Sequence, residues 1–170
     1  MVMIKESIVT DKQALSQRCS PVNEENILKE IELINEAKKW VSNKENNALG
    51  LASTQVGSNL SWFVMINPNG GSQANPIVSR ETTIAIANPK ILEYKGQKIH
   101  RSEGCFSLPG ESYALYRFSD ILVRYQLINE DGKISDPKRS IFSGLAAQVF
   151  QHEENHVRGV LIDNLGKKIN

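Results

Sequence analysis

The sequence predicts an α+β fold: short antiparallel strands packed around a central buried helix, with an amphipathic helix near the N-terminus. Three observations predict it. Ile27, Ile31, Ile34, Ala37 and Val41 recur at helical spacing; the middle of the chain is rich in β-branched and aliphatic runs; and 144–158, GLAAQVFQHEENHVR, returns to helical periodicity with apolar residues on most sides. At 170 residues the chain has the size of one ordinary domain, and a single domain spanning 1–170 is expected.

The first helix starts after Ser20-Pro21, with Asn23 as its cap and Glu24 and Glu25 at the favourable end of the dipole, and it should end near Asn43. ALGLASTQVG (48–57) reads as a small-residue loop with a short extended piece, and SWFVMI (61–66) as a strand. The Gly, Asn, Pro and Ser content of 67–81 predicts a surface loop. TTIAIANPKILEY and ILVRYQLI supply further strands, and NEDG (129–132) is a hairpin turn before KISDPKRSIF. Gly159 is placed to end the last helix in the left-handed conformation, with Arg158 in its final turn.

Composition narrows the partners. Twenty Lys and Arg against 19 Asp and Glu leave a net charge of +1, which gives no bulk attraction to nucleic acid or a membrane surface. MVMIKESIVT has no apolar stretch of signal length, and nowhere do about 18 apolar residues run without a charge. Cys19 and Cys105 lie far apart and suit a reducing compartment, so a cytoplasmic protein is expected.

The chemistry concentrates in QHEENH (151–156). At about 100° per residue, Leu145, Val149, His152 and His156 form one stripe, and side chains four apart on a helix can ligate one ion. Glu153 lies at the edge of that face, where it can reach a water on the metal and act as general base without ligating. Two histidines need a third protein ligand. In RSEGCFSLPG (101–110), Gly104 and Pro109-Gly110 make turns that present Cys105. Alone, such a cysteine would be read as a small core residue; beside the histidines it is the third ligand. Such a set leaves the fourth position of a tetrahedral ion open to water. Glu103 and Arg117 read either as groups that orient a ligating histidine and pair with nearby carboxylates, or as a surface ion pair.

Three segments, GLASTQ (50–55), EGCFS (103–107) and QHEENH (151–156), resemble in this order the three signature segments of peptide deformylases. Asn88-Pro89, Arg117 and Gly159-Val160-Leu161 are similar to further recurring features of that family. The resemblance implies removal of the N-formyl group from the formylmethionine of nascent peptides, with release of formate. It implies that Cys105, His152 and His156 bind one divalent metal, Fe(II) in the cell, with Zn, Ni or Co able to replace it. Gln55 and the backbone N–H of Phe106 would then stabilise the developing oxyanion. The substrate's methionine would lie against Leu49, Gly50, Leu51, Glu103, Leu145 and Val149, and Asn155 would support the ligands. An N-formylmethionyl peptide and a transient ribosome contact are the implied partners. The chain departs from the family pattern at Ala48, Ser53, Phe106 and Asn155. Two other readings remain: a catalytically silent homologue that binds peptide N-termini, and a zincin-type endopeptidase, for which Asp163 is the only acidic residue after His156.

Overall fold

The structure, a computed structural model, describes residues 4–67 and 82–170. It is a mixed fold of helices and antiparallel sheet. Most of the segment expected to form a surface loop lies outside the described residues. Helices α1 (Lys12–Leu15), α2 (Glu24–Ile27), α3 (Ile31–Ser42) and α4 (Gly144–Val157) pack around one sheet of strands β1 (Gly50–Ala52), β2 (Trp62–Ile66), β3 (Thr83–Cys105), β4 (Leu108–Ile128), β5 (Lys138–Ser143) and β6 (Lys167–Lys168). The order is β1-β2-β3-β4-β5, every described pairing between these strands is antiparallel, and β6 joins β4.

β2 explains the layering. Its run WFVMI is buried throughout, with Trp62, Val64 and Ile66 in the core under α3 and Phe63 and Met65 in the core under α4. A strand covered on both faces is apolar without alternation, which is what this sequence supplies. Ile34, Ala37 and Val41 bring α3 to one face; Ala147, Val149 and Phe150 bring α4 to the other.

Two expectations are corrected. The single helix over 23–43 is two, α2 and α3, separated at 28–30. Asn23 caps α2 in a reciprocal box with Asn26, at 2.8 Å in each direction. The break turns the Glu30 carboxylate inward, where it accepts from Ser58 Oγ and, at 2.6 Å, from Trp62 Nε1. The runs at 82–94 and 121–128 belong not to short strands but to two long ones, β3 and β4, whose register shifts at four places, while β1, β2, β5 and β6 are short. Asn88, at φ 50°, and Gly96, at φ 66°, flank or occupy two of these shifts. Residues that read as strand ends are bulges, which bend the ladder without ending it.

α4 is fixed at both ends of its functional segment. Gln151 makes peptide-like bonds to β4, accepting from Phe118 N at 3.0 Å and donating to Phe118 O at 2.9 Å. After Val157 the chain turns through a Schellman motif, with Gly159 N bonding His156 O and Val160 N bonding Asn155 O, each at 2.9 Å. Gly159 has φ 76°, and a Cβ there would meet Ser16 O at 2.4 Å. Both the left-handed backbone and the contact oppose any side chain. Gly159→Ala is therefore expected to lower unfolding stability by about 2 kcal/mol or more, measured by urea denaturation.

Candidate metal centre and active site

β3 ends at Cys105, and α4 passes beside that end carrying His152, Glu153 and His156. The Cys105 sulfur and one nitrogen from each histidine lie within 4.8 Å of one another. Cys105 Sγ and His156 Nε2 are 3.3 Å apart. Ligands at about 2.0–2.3 Å from a tetrahedral ion sit about 3.3–3.8 Å from each other, so small side-chain shifts complete the set.

The surroundings favour a cation. Glu103 is buried on β3 and accepts from Arg117 Nε at 2.9 Å and Nη2 at 2.8 Å, while its Oε2 lies 2.9 Å from His152 Nδ1. Burial alone would raise the Glu103 carboxyl, but the Arg117 and His152 contacts outweigh it and hold it at about 2. Its charge is fixed. Burial works against a charged His152, yet hydrogen bonds to Cys105 and Glu103 and the nearby Glu153 raise it to about 10. The anionic neighbours that favour a proton on His152 would equally favour a cation bound there in the proton's place. Burial, then the neighbouring His152 and Arg117 charges, keep His156 neutral, the form that ligates. A thiolate and two imidazoles fit a borderline divalent ion.

Glu153 stands alone beside this set. It is 4% exposed, its Oε2 has no hydrogen-bond partner among the described residues, and burial pushes its carboxyl up to about 7. The β1 backbone makes room for it: a Cβ on Gly50 would fall 2.5 Å from Glu153 Oε1 and 2.9 Å from Cγ and Cδ. A side chain at 50 would force the Glu153 carboxyl to shift from this position.

A cavity of about 680 Å³ opens on the site. Leu49, Gly50, Gln55, Glu103, Cys105, Phe106, Val149, His152 and Glu153 line it, together with Gln148. Gln55 is set by its own backbone, accepting from Ala52 N at 3.0 Å, and its amide donates toward Cys105 Sγ at 3.5 Å and Ser107 Oγ at 3.3 Å. Phe106 is exposed at the rim and meets the Trp40 ring edge-on, with centroids 4.9 Å apart. Asn155 accepts from Arg117 Nη1 at 2.6 Å, so a neutral side chain extends the Glu103–Arg117 pair toward α4.

Two expected wall residues are elsewhere. Leu51 is fully buried in the core beneath α3, because strand alternation turns it away from Gly50's side. Leu145, in the first turn of α4, packs against both cores and does not line the cavity. Ser107 and Gln151 were missed by sequence reasoning. Ser107 stood inside a quoted motif, and its neighbour Cys105 was the available signal; nothing local marks Gln151, whose partner lies in β4. His100 remains apart on β3, packed on Tyr116.

The polypeptide deformylase family model matches residues 4–169. The chain belongs to this family. Among similar deformylases, that of Thermotoga petrophila is 35% identical over 150 residues, covering 87% of this chain and 78% of that one. That of Aquifex aeolicus is 36% identical over 122 residues, covering 71% and 65%. The crystal structure of peptide deformylase from Thermotoga maritima superposes with a TM-score of 0.71 at 32% identity, covering 94% of this chain and 95% of that one. A probable peptide deformylase from the Synechococcus phage S-SSM7 gives 0.71 at 27% identity, covering 93% and 97%. Membership carries the activity: metal-dependent removal of the formyl group from an N-terminal methionine.

The packing of Gly50 on Glu153 makes a further expectation. Gly50→Ala should reduce formate release from a formylmethionyl peptide by about 100-fold, with metal content by elemental analysis unchanged.

Proposed function

We propose that the whole chain works as one metallohydrolase domain in the cytoplasm, with Cys105, His152 and His156 holding Fe(II) and Glu153 moving the proton. The observation that carries the reading is the buried Glu153 carboxyl, whose Oε2 lacks a hydrogen-bond partner among the described residues, beside three convergent ligand atoms. A structural metal site has no use for such a group, and this favours an active hydrolase over a silent homologue. The family match over residues 4–169 sets the endopeptidase aside.

A divalent cation, when bound, supplies Lewis-acid activation of water and of the formyl carbonyl. The chain's own groups do the rest. Glu153, its carboxyl poised at about 7, takes a proton from the attacking water and returns it to the departing amine. The Gln55 amide, oriented by Ala52 N, and the Phe106 backbone N–H donate to the formyl oxygen as it gains charge. Glu103, clamped by Arg117 with Asn155 behind it, holds the His152 ring in orientation. Leu49, Gly50 and Val149 form the wall along which the methionine side chain lies, with Glu103 at its side. An N-formylmethionyl peptide still emerging from a ribosome fits this open cavity, and ribosome contact is transient. Zn, Ni or Co suit the same ligands, and elemental analysis of anaerobically purified protein identifies the native ion.

The test is formate release from an N-formylmethionyl tripeptide under anaerobic conditions with added metal. Glu153→Ala is expected to lower kcat by about 100- to 10,000-fold while retaining the ion; release by the native chain no greater than by this variant would overturn the reading. Cys105→Ser is expected to lose the metal, and full occupancy in that variant would refute the ligand assignment.

A further inference from the structure

Gln148 lines the cavity beside the site residues, and the proposed function leaves its chemistry unused. It stands four residues before His152, one helical turn away on the same side of α4, and lines the cavity along with Leu49, Val149 and Glu103. Its Nε2 donates to Glu103 Oε1 at 3.3 Å. That contact is the longest made by Glu103, which Arg117 and His152 already hold at 2.8–2.9 Å. Gln148 is therefore peripheral to the clamp.

A side-chain amide has two N–H donors and a carbonyl acceptor. One donor is directed to Glu103, and a second donor and the carbonyl remain on a side chain that lines the cavity. A thioether is a weak acceptor, so seating methionine there expels water from the amide and returns little. A methionine sulfoxide has the same chain length and carries a strong acceptor oxygen in place of that deficit. A pocket containing a fixed donor favours the side chain that pairs with it over the one that cannot.

Resting on the deformylase reading of this cavity, we infer that Gln148 is a specificity-determining residue that admits N-formylmethionine sulfoxide, as well as N-formylmethionine, as the first residue of the substrate. Because the sulfoxide sulfur is chiral and the donor approaches from one wall, one epimer is preferred.

The experiment compares three N-formyl tripeptides that differ only in the first residue: methionine and each sulfoxide epimer. The native chain and Gln148→Leu are assayed by formate release, with Gln148→Met as a second variant should Leu impair folding. In the native chain, kcat/KM for the preferred epimer is expected within about tenfold of that for methionine. In the variants the sulfoxide-to-methionine ratio should fall about tenfold or more, and the epimer preference should disappear. An unchanged ratio, or an equal loss for all three peptides, overturns the inference and makes Gln148 a support for Glu103 only. Calorimetric affinities of the metal-loaded protein for the three deformylated tripeptides read the same ratio without turnover. If no formate is released from any peptide, the deformylase reading fails, and the affinity ratio still decides the role of Gln148.

Discussion

Glu103 carries a full negative charge at 7% exposure, and the site is arranged around keeping that charge paired. Arg117 comes to it from the facing strand as a two-pronged donor, and His152 comes from α4. Removing one partner from such a pair typically costs about 3–5 kcal/mol, because the remaining charge is left in a medium that cannot solvate it. The clamp thus does two jobs. It ties β3, β4 and α4 together at the point where Cys105 leaves the sheet, and it fixes which ring nitrogen of His152 faces inward. Asn155 joins the same network through Arg117, so both ends of the ligand segment sense the guanidinium.

Glu153 occupies the opposite electrostatic condition. It has burial without a clamp, and its proton affinity rises where that of Glu103 falls. Two carboxylates bordering the same cavity are thereby given different tasks by their surroundings: one permanently ionised, the other able to exchange a proton near neutrality. The missing Cβ of Gly50 is part of this arrangement, since a Cβ there would fall 2.5 Å from Glu153 Oε1 and displace the second carboxylate.

Much of the site was readable because α4 announces itself. Its periodicity places His152 and His156 on one face; the expected turns at 104 and 109–110 are instead strand, and Cys105 comes beside the histidines as the last residue of β3, before the connection at 106–107. What escaped was set by partners distant in sequence. The break between α2 and α3 follows from Glu30 reaching Ser58 and Trp62, which a helical pattern cannot show. Asn88-Pro89 and Gly96 look like punctuation, yet the ladder continues through them as bulges because β4 offers a complementary edge. The resemblance puts Leu51 in the cavity wall with Leu49, and strand alternation sends it to the core under α3. Gln148 could be placed only once Glu103 was seen beside it.

The bonds from Gln151 to the backbone of Phe118 have a consequence for how peptides enter. A helix attached to a strand by amide pairing, as if it were itself another strand, can neither slide along nor roll about its axis without breaking both bonds. The half of the cleft built on α4 is in effect an anvil. Peptides of different shape then meet a fixed wall on α4 and, facing it, the connection between β3 and β4, where Phe106 packs edge-on against Trp40.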